Sequence, residues 1–205
     1  MEIANIFDQL YRNVLDTTLL EIIAVLFGLF SVWFAKKENI LVYPTGIISV
    51  LIYVYICFFA GLYADMGINF FYFIMSVYGW YSWTRIDINK KGLPISSCNT
   101  SYHILNIIAF IFFFFLLRYI LINYTDSTVP NLDSLTTAIF IIAMWLMARK
   151  KIENWIFWII GNIISVPLYA YKGLVFTSFQ FTVFLIIAIM GYIEWRKKLV
   201  ANKVV

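Results

Sequence analysis

Charge is the scarcest property of this sequence: of 205 residues, 13% are Asp, Glu, Lys or Arg, about half the ~25% typical of a soluble domain. Histidine occurs once and cysteine twice, too few for the clustered ligand sets that hold zinc. No glycine-rich loop of the phosphate-cradling kind is present. Neither a metal nor another cofactor is expected. The two cysteines, Cys57 and Cys98, fall on opposite sides of the topology derived below, which rules out a disulfide between them. Acidic residues are missing from the middle of every apolar stretch: Glu21 and Glu194 stand at segment ends, Asp65 in a turn, and His103 at the start of a segment. An intramembrane hydrolase or acid–base enzyme needs a titratable pair within reach of its substrate, and a proton relay needs buried acids along its path. The sequence supplies neither, so no enzyme is expected.

What is present is apolar bulk, 63% hydrophobic residues with 20% aromatic. Seven apolar segments, at about 19–35, 40–60, 68–84, 103–123, 134–148, 155–171 and 178–195, approach the ~17–25 residues that cross a bilayer as helix. They lack the strict alternation of a β-barrel. The expected fold is an all-α integral membrane protein of seven transmembrane helices, a single membrane domain. If all seven span, the connections fall alternately on two sides. One side then holds twelve of the fifteen Lys and Arg: Lys36, Lys37, Arg85, Lys90, Lys91, Arg149, Lys150, Lys151, Arg196, Lys197, Lys198 and Lys203. The other holds Arg12 and Lys172, and Arg118 lies within a span, five residues from its outer end, where it reads as a snorkelling anchor. The positive-inside rule makes the twelve-charge side cytoplasmic, the carboxyl terminus with it, and the amino terminus external. The net charge of +4 is thereby topological, and no nucleic-acid partner follows from it. Residues 1–18, with Glu2, Asp8, Arg12 and Asp16, do not form the basic n-region of a cleavable signal, so the first span is expected to stay.

An internal repeat runs through the spans. "GIISVLIYVY" at 46–55 lies over "NIISVPLYAY" at 162–171, and "GWYSWTR" at 79–85 lies over "GYIEWRK" at 191–197. Each first helix ends in a tryptophan followed by a basic cluster and Glu-Asn, as "WFAKKEN" and "WLMARKKIEN". Residues 19–84 thus repeat as 134–195, with 103–123 as a linker helix without counterpart. One intervening span makes the two triplets parallel, a 3+1+3 plan used by secondary transporters, whose site is expected near the midplane between repeats.

The few polar residues within spans lie beside large aromatics. Trp155, Trp158 and Asn162 share one face of the sixth helix by their i, i+3, i+7 spacing. At 1.5 Å per residue, Asn162 sits about 10 Å below the cytoplasmic end. On the third helix Asn69, Tyr72, Ser76, Gly79 and Trp83 make one stripe, and Gln180 lies near the outer end of the seventh. The bland alternative is interfacial tryptophans and amides that only join neighbouring helices. The set, aromatic walls with amides in both repeats, favours a pocket for a flat, polar, cationic small molecule, since ring faces attract delocalised cations and amides both donate to and accept from hydroxyls. A membrane scaffold or signalling protein is the reading of a different class, but the longest loop, 85–102, leaves little soluble surface for a partner.

The stretches "NFFYFIMSVYGWYSW" and "KIENWIFWIIGNIISVPLYAYKG" resemble the PnuC family of vitamin transporters, and the likeness extends over essentially the whole chain. It implies a SWEET-like 3+1+3 fold in a bacterial cytoplasmic (inner) membrane. It further implies uptake of nicotinamide riboside by facilitated diffusion, with a cytoplasmic kinase trapping the product. Carried over to matching positions, it points to Asn69, Tyr72, Trp155, Trp158 and Asn162 as binding residues, with Trp80 and Trp83 matching a motif that is open to a structural role. Helix 3 of the family commonly carries glutamine on its substrate face, whereas between Asn69 and Gly79 the polar choices here are Tyr72 and Ser76. Thiamine, also an aromatic cation with a hydroxyl, and riboflavin stay open as alternative substrates, and a homo-oligomer stays open too.

Overall fold

The computed structural model describes residues 18–85 and 93–204, with side chains as far as Ala201. The expectations for the amino-terminal segment with Arg12, for Lys90 and Lys91, and for the Lys203 side chain lie outside the described residues. Seven helices follow in order: α1 (Leu19–Lys36), α2 (Val42–Phe59), α3 (Tyr63–Thr84), α4 (Thr100–Tyr124), α5 (Pro130–Ala148), α6 (Asn154–Tyr171) and α7 (Val175–Val204). Among the described residues there is no sheet, only an isolated bridge between Ser96 and Lys151. The start of α1 is set by a reciprocal cap, in which the Glu21 N–H donates to the Thr18 hydroxyl while the Thr18 N–H donates to the Glu21 carboxylate. α5 begins with Pro130, whose missing N–H costs nothing in a first turn. α3 and α5 start several residues before the expected spans. Their first turns, "YADMG" and "PNLD", are polar enough to read as loop by hydropathy yet lie at the helix ends, where water is available.

Five helices, α1, α2, α4, α5 and α7, are each long and apolar enough to cross a membrane by length and composition. α3 and α6 carry the Asn, Trp and Tyr side chains that lower their hydropathy, and each is flanked by two neighbours. Consecutive helices pack within the triplets α1–α2–α3 and α5–α6–α7, and contacts of α1 with α7 and of α3 with α5 close the six into a ring. α4 stands outside, packed on α5; Asn106 is its one buried residue, while Ile108, Phe112, Phe115 and Tyr119 are exposed outward. That is the placement expected of a linker helix surrounded by acyl chains.

At the end that carries the basic loops the two triplets are joined by hydrogen bonds and ion pairs. Tyr43 lies edge-on to Trp83, 5.2 Å between centroids at 87°, and Trp155 lies edge-on to Trp195, 5.6 Å at 88°. Each arrangement depends on a glycine, because a Cβ on Gly79 would collide with the Tyr43 ring and one on Gly191 with the Trp155 ring. Each C-terminal indole then crosses to the other triplet. Trp83 donates to the Met147 carbonyl at 3.1 Å, and Trp195 donates to the Ala35 carbonyl at 3.0 Å. Just beyond these carbonyls, Glu38 and Lys150 both adopt left-handed backbone, with φ of 59° and 50°, and their side chains pair at 2.9 Å. Lys198 adds a second cation to Glu38 at 2.8 Å, and the buried Lys36 faces Glu194 at 3.4 Å. Burial pushes the Glu38 carboxyl up, but hydrogen bonds and charge from Lys198 and Lys150 outweigh it and hold it below the usual carboxylate range.

Candidate binding cavity

A cavity of about 690 Å³ lies inside the six-helix ring, within the ~300–1,000 Å³ range of small-molecule sites. It extends from the ends of α1, α3 and α7 that carry Glu21, Asp65 and Thr177 down to Ala35, Tyr43 and Met147 beside the aromatic clamp. All three helices of both triplets line it, in matching register. α3 contributes Asp65, Ile68, Asn69, Tyr72 and Ser76, and α7 contributes Thr177, Gln180, Phe181, Phe184 and Ala188 with the same intervals. Val42, Gly46 and Tyr53 of α2 correspond in this way to Trp158, Asn162 and Tyr169 of α6, and Gly28 of α1 corresponds to Phe140 of α5.

Apart from the Tyr53–Tyr169 pair, the matching register carries unlike side chains. The second triplet supplies an aromatic wall: Phe140 stacks on Trp158, 5.3 Å apart at 28°, and Phe181 stacks on both Phe140 and Tyr169. Gly161 permits it, since a Cβ there would strike the Phe140 ring. The first triplet presents small and hydroxylic groups, Gly28, Ser31, Gly46, Ser49 and Ser76. Asn162, 2% exposed, lines the cavity from α6. Buried amides are costly unless bonded, and no hydrogen bond to the Asn162 side chain is made by the described residues, so its donor and acceptor remain for a guest. The mouth is acidic, with Glu21 and Asp65, and the lining contains no Lys, Arg or His among the described residues.

Six of the nine residues singled out from sequence line this cavity: Asn69, Tyr72, Ser76, Trp158, Asn162 and Gln180. Asn69 donates to the Asp65 carbonyl at 2.9 Å, leaving its side-chain oxygen free. The other three are elsewhere. Trp155 is fully buried between α6 and α7 against Trp195, Trp83 is spent on the inter-triplet hydrogen bond, and Trp80 is 41% exposed on the outside of α3. Arg118 donates to the Asn131 side chain at 2.7 Å, joining α4 to the start of α5, away from the cavity. Sequence reasoning missed Phe140, Ser31 and Gly46. The repeat alignment sets Gly46 opposite Asn162, a usable signal, but α1 and α5 carry no polar pattern that marks Phe140 or Ser31.

Parallel three-helix triplets closed around one amphipathic cavity, in a bundle of helices fit for lipid, make this a multi-pass membrane transporter. The chain belongs to the nicotinamide mononucleotide transporter family, whose pattern matches residues 18–197. It is 28% identical to the nicotinamide riboside transporter PnuC of Escherichia coli K12, over 88% of this chain and 86% of that one. It is 24% identical to the nicotinamide riboside transporter PnuC of Neisseria mucosa, over 85% and 71%. Its fold is that of a solved structure described as the vitamin B3 transporter PnuC, with a TM-score of 0.71 and 24% identity over 95% of this chain and 88% of that one.

Proposed function

We propose that this chain takes up nicotinamide riboside by facilitated diffusion through a bacterial cytoplasmic membrane, with the amino terminus outside and a cytoplasmic kinase trapping the product. The observation that carries the reading is the composition of the cavity wall: stacked aromatics and an unpartnered buried amide, acids at the mouth, and no basic side chain in the lining. A pyridinium ring gains from the ring faces of Phe140 and Trp158, by about 2 kcal/mol or more once desolvated. Ribose hydroxyls suit Asn69, Tyr72 and Ser76 of the first triplet, and the carboxamide on the pyridinium ring suits Asn162 and Gln180 of the second. The same wall favours the riboside over the mononucleotide named in the family description, because a phosphate calls for Arg, Lys or a helix N-terminus and would meet Glu21 and Asp65 at the mouth. The names of the relatives support the choice. Trp155 and Trp83 serve the frame of the site, and Trp80 faces outward from α3, none of the three contacting the substrate. Thiamine, a cation with one hydroxyl, fits the aromatic wall as well. Parallel binding of nicotinamide riboside, thiamine and riboflavin to the purified protein decides between them: the riboside should bind tightest, and preference for either other vitamin would displace it.

A further inference from the structure

The amide of Asn162 has no counterpart in the first triplet. Its position there is Gly46, which lines the cavity from α2 with no side chain at all. The space it leaves is polar. A Cβ on Gly46 would lie 2.9 Å from the Ser31 hydroxyl oxygen and 3.9 Å from that of Ser76, so hydroxyls from α1 and α3 converge on one bare point of α2. Ser31 donates its proton to the Val42 carbonyl at 2.7 Å, which leaves its oxygen as an acceptor facing outward from that bond. Ser76 is 3% exposed and lines the cavity, and its hydroxyl has no hydrogen-bond partner among the described residues. A buried hydroxyl without a partner is an open position for one. The hollow therefore offers one acceptor and one group that both donates and accepts, with no charge of either sign beside it.

We infer that the Gly46 hollow is a subsite for the hydroxylated end of the ligand, and that Gly46 determines specificity by its lack of a side chain. A ligand bound with its ring on the Phe140–Trp158 wall reaches across the ring of helices to the opposite triplet, where Ser31 and Ser76 take a sugar hydroxyl. The inference rests on the reading of the substrate as a hydroxylated aromatic cation. It adds that the two triplets divide the ligand, aromatic half to the second and polyol half to the first.

The test is calorimetric titration of the purified protein with nicotinamide riboside and with 1-methylnicotinamide, which keeps the cationic ring and lacks the sugar. Gly46→Ala sets a Cβ 2.9 Å from the Ser31 hydroxyl oxygen, so Ser31 must turn aside from its bond to Val42; the helix preference of alanine offsets part of that cost, and the thermal midpoint should fall only slightly. The riboside should lose tenfold or more in affinity, with 1-methylnicotinamide unchanged. Ser76→Ala, which only removes an atom, should cost the riboside about fivefold and spare 1-methylnicotinamide. Equal losses for both ligands, or none for either, would overturn the subsite. Failure of the unaltered protein to bind the riboside at all would instead overturn the substrate reading beneath it, and the hollow with it.

Discussion

Trp83 and Trp195 stand 6.0 Å apart, centroid to centroid, at the equivalent ends of α3 and α7, and each donates its indole proton to the triplet it does not belong to. The accepting carbonyls, Met147 and Ala35, are equivalent too, and each also takes the N–H of the left-handed residue three positions on, Lys150 or Glu38. The cavity ends beneath this clamp, at Ala35, Tyr43 and Met147. Replacing either indole by phenylalanine keeps a ring and removes one buried hydrogen bond. Trp83→Phe and Trp195→Phe should each lower stability by about 0.5–1.5 kcal/mol. The double variant should deviate from additivity by about 0.5 kcal/mol or more, because the rings touch. Thermal unfolding of the four proteins measures it; strict additivity would show two independent bonds and no joint clamp.

Acid should leave the ionic part of the clamp intact until well below neutrality. The Glu38 carboxyl is held beneath its ordinary value near 4.5, so the unfolded chain takes up a proton before the folded one does. Its contribution is complete above the ordinary value and is lost as pH falls through the depressed one. Glu38→Gln leaves the nearly buried Lys150 ammonium without its partner and should cost about 1–3 kcal/mol. The difference from the unaltered protein should stay constant from pH 8 to about 5 and close at lower pH. A gap that already narrows between pH 7 and 6 would contradict the depressed carboxyl.

Trp155 and Trp158, three residues apart, should separate stability from binding. Trp155→Ala opens a space against Trp195 and Gly191 and should destabilise by roughly 3–5 kcal/mol, with the riboside affinity of the folded fraction little changed. Trp158→Leu should leave the thermal midpoint nearer its starting value and weaken a cationic vitamin more than an uncharged analogue of the same shape. Equal weakening of both analogues would reduce Trp158 to packing.

Asn162→Leu removes an amide that no described residue engages, so stability should hold while riboside affinity falls by about 1–3 kcal/mol, roughly five- to over a hundredfold. A loss of stability near the ~0.6 kcal/mol of an interhelical hydrogen bond, with normal binding, would make it a link between helices.

Orientation is testable on a quiet background. Cys57 is buried, and burial together with Glu153 pushes the Cys98 thiol up to about 12, so neither native cysteine should react readily with maleimide at neutral pH. Lys37→Cys, at the basic end, should label only after cells are permeabilised, and Thr128→Cys should label from outside. The reverse pattern would invert the topology.

The membrane class, the seven helices and the 3+1+3 plan were all legible in the one-dimensional pattern. Apolar length and the register of "GWYSW" against "GYIEW" are local properties that survive without any contact. The three amides, Asn69, Asn162 and Gln180, were legible for a related reason: an amide in an apolar helix needs a partner, and the cavity is where one can be met. The tryptophans were different. Trp155 and Trp158 share a helix face by spacing alone, but about 60° of rotation separates them. Which of the two looks inward is decided by the seating of α6 on α7. Gly191 gives the Trp155 ring room close to the α7 backbone, while Trp158, on the same helix, stacks on Phe140 at the cavity wall. The Gly46 hollow has the same origin, since its two hydroxyls come from α1 and α3, remote in sequence from each other and from α2. Periodicity can say that residues share a face, but the neighbour that covers that face is chosen by packing between helices, where a missing Cβ in one becomes room for a ring or a ligand in the next.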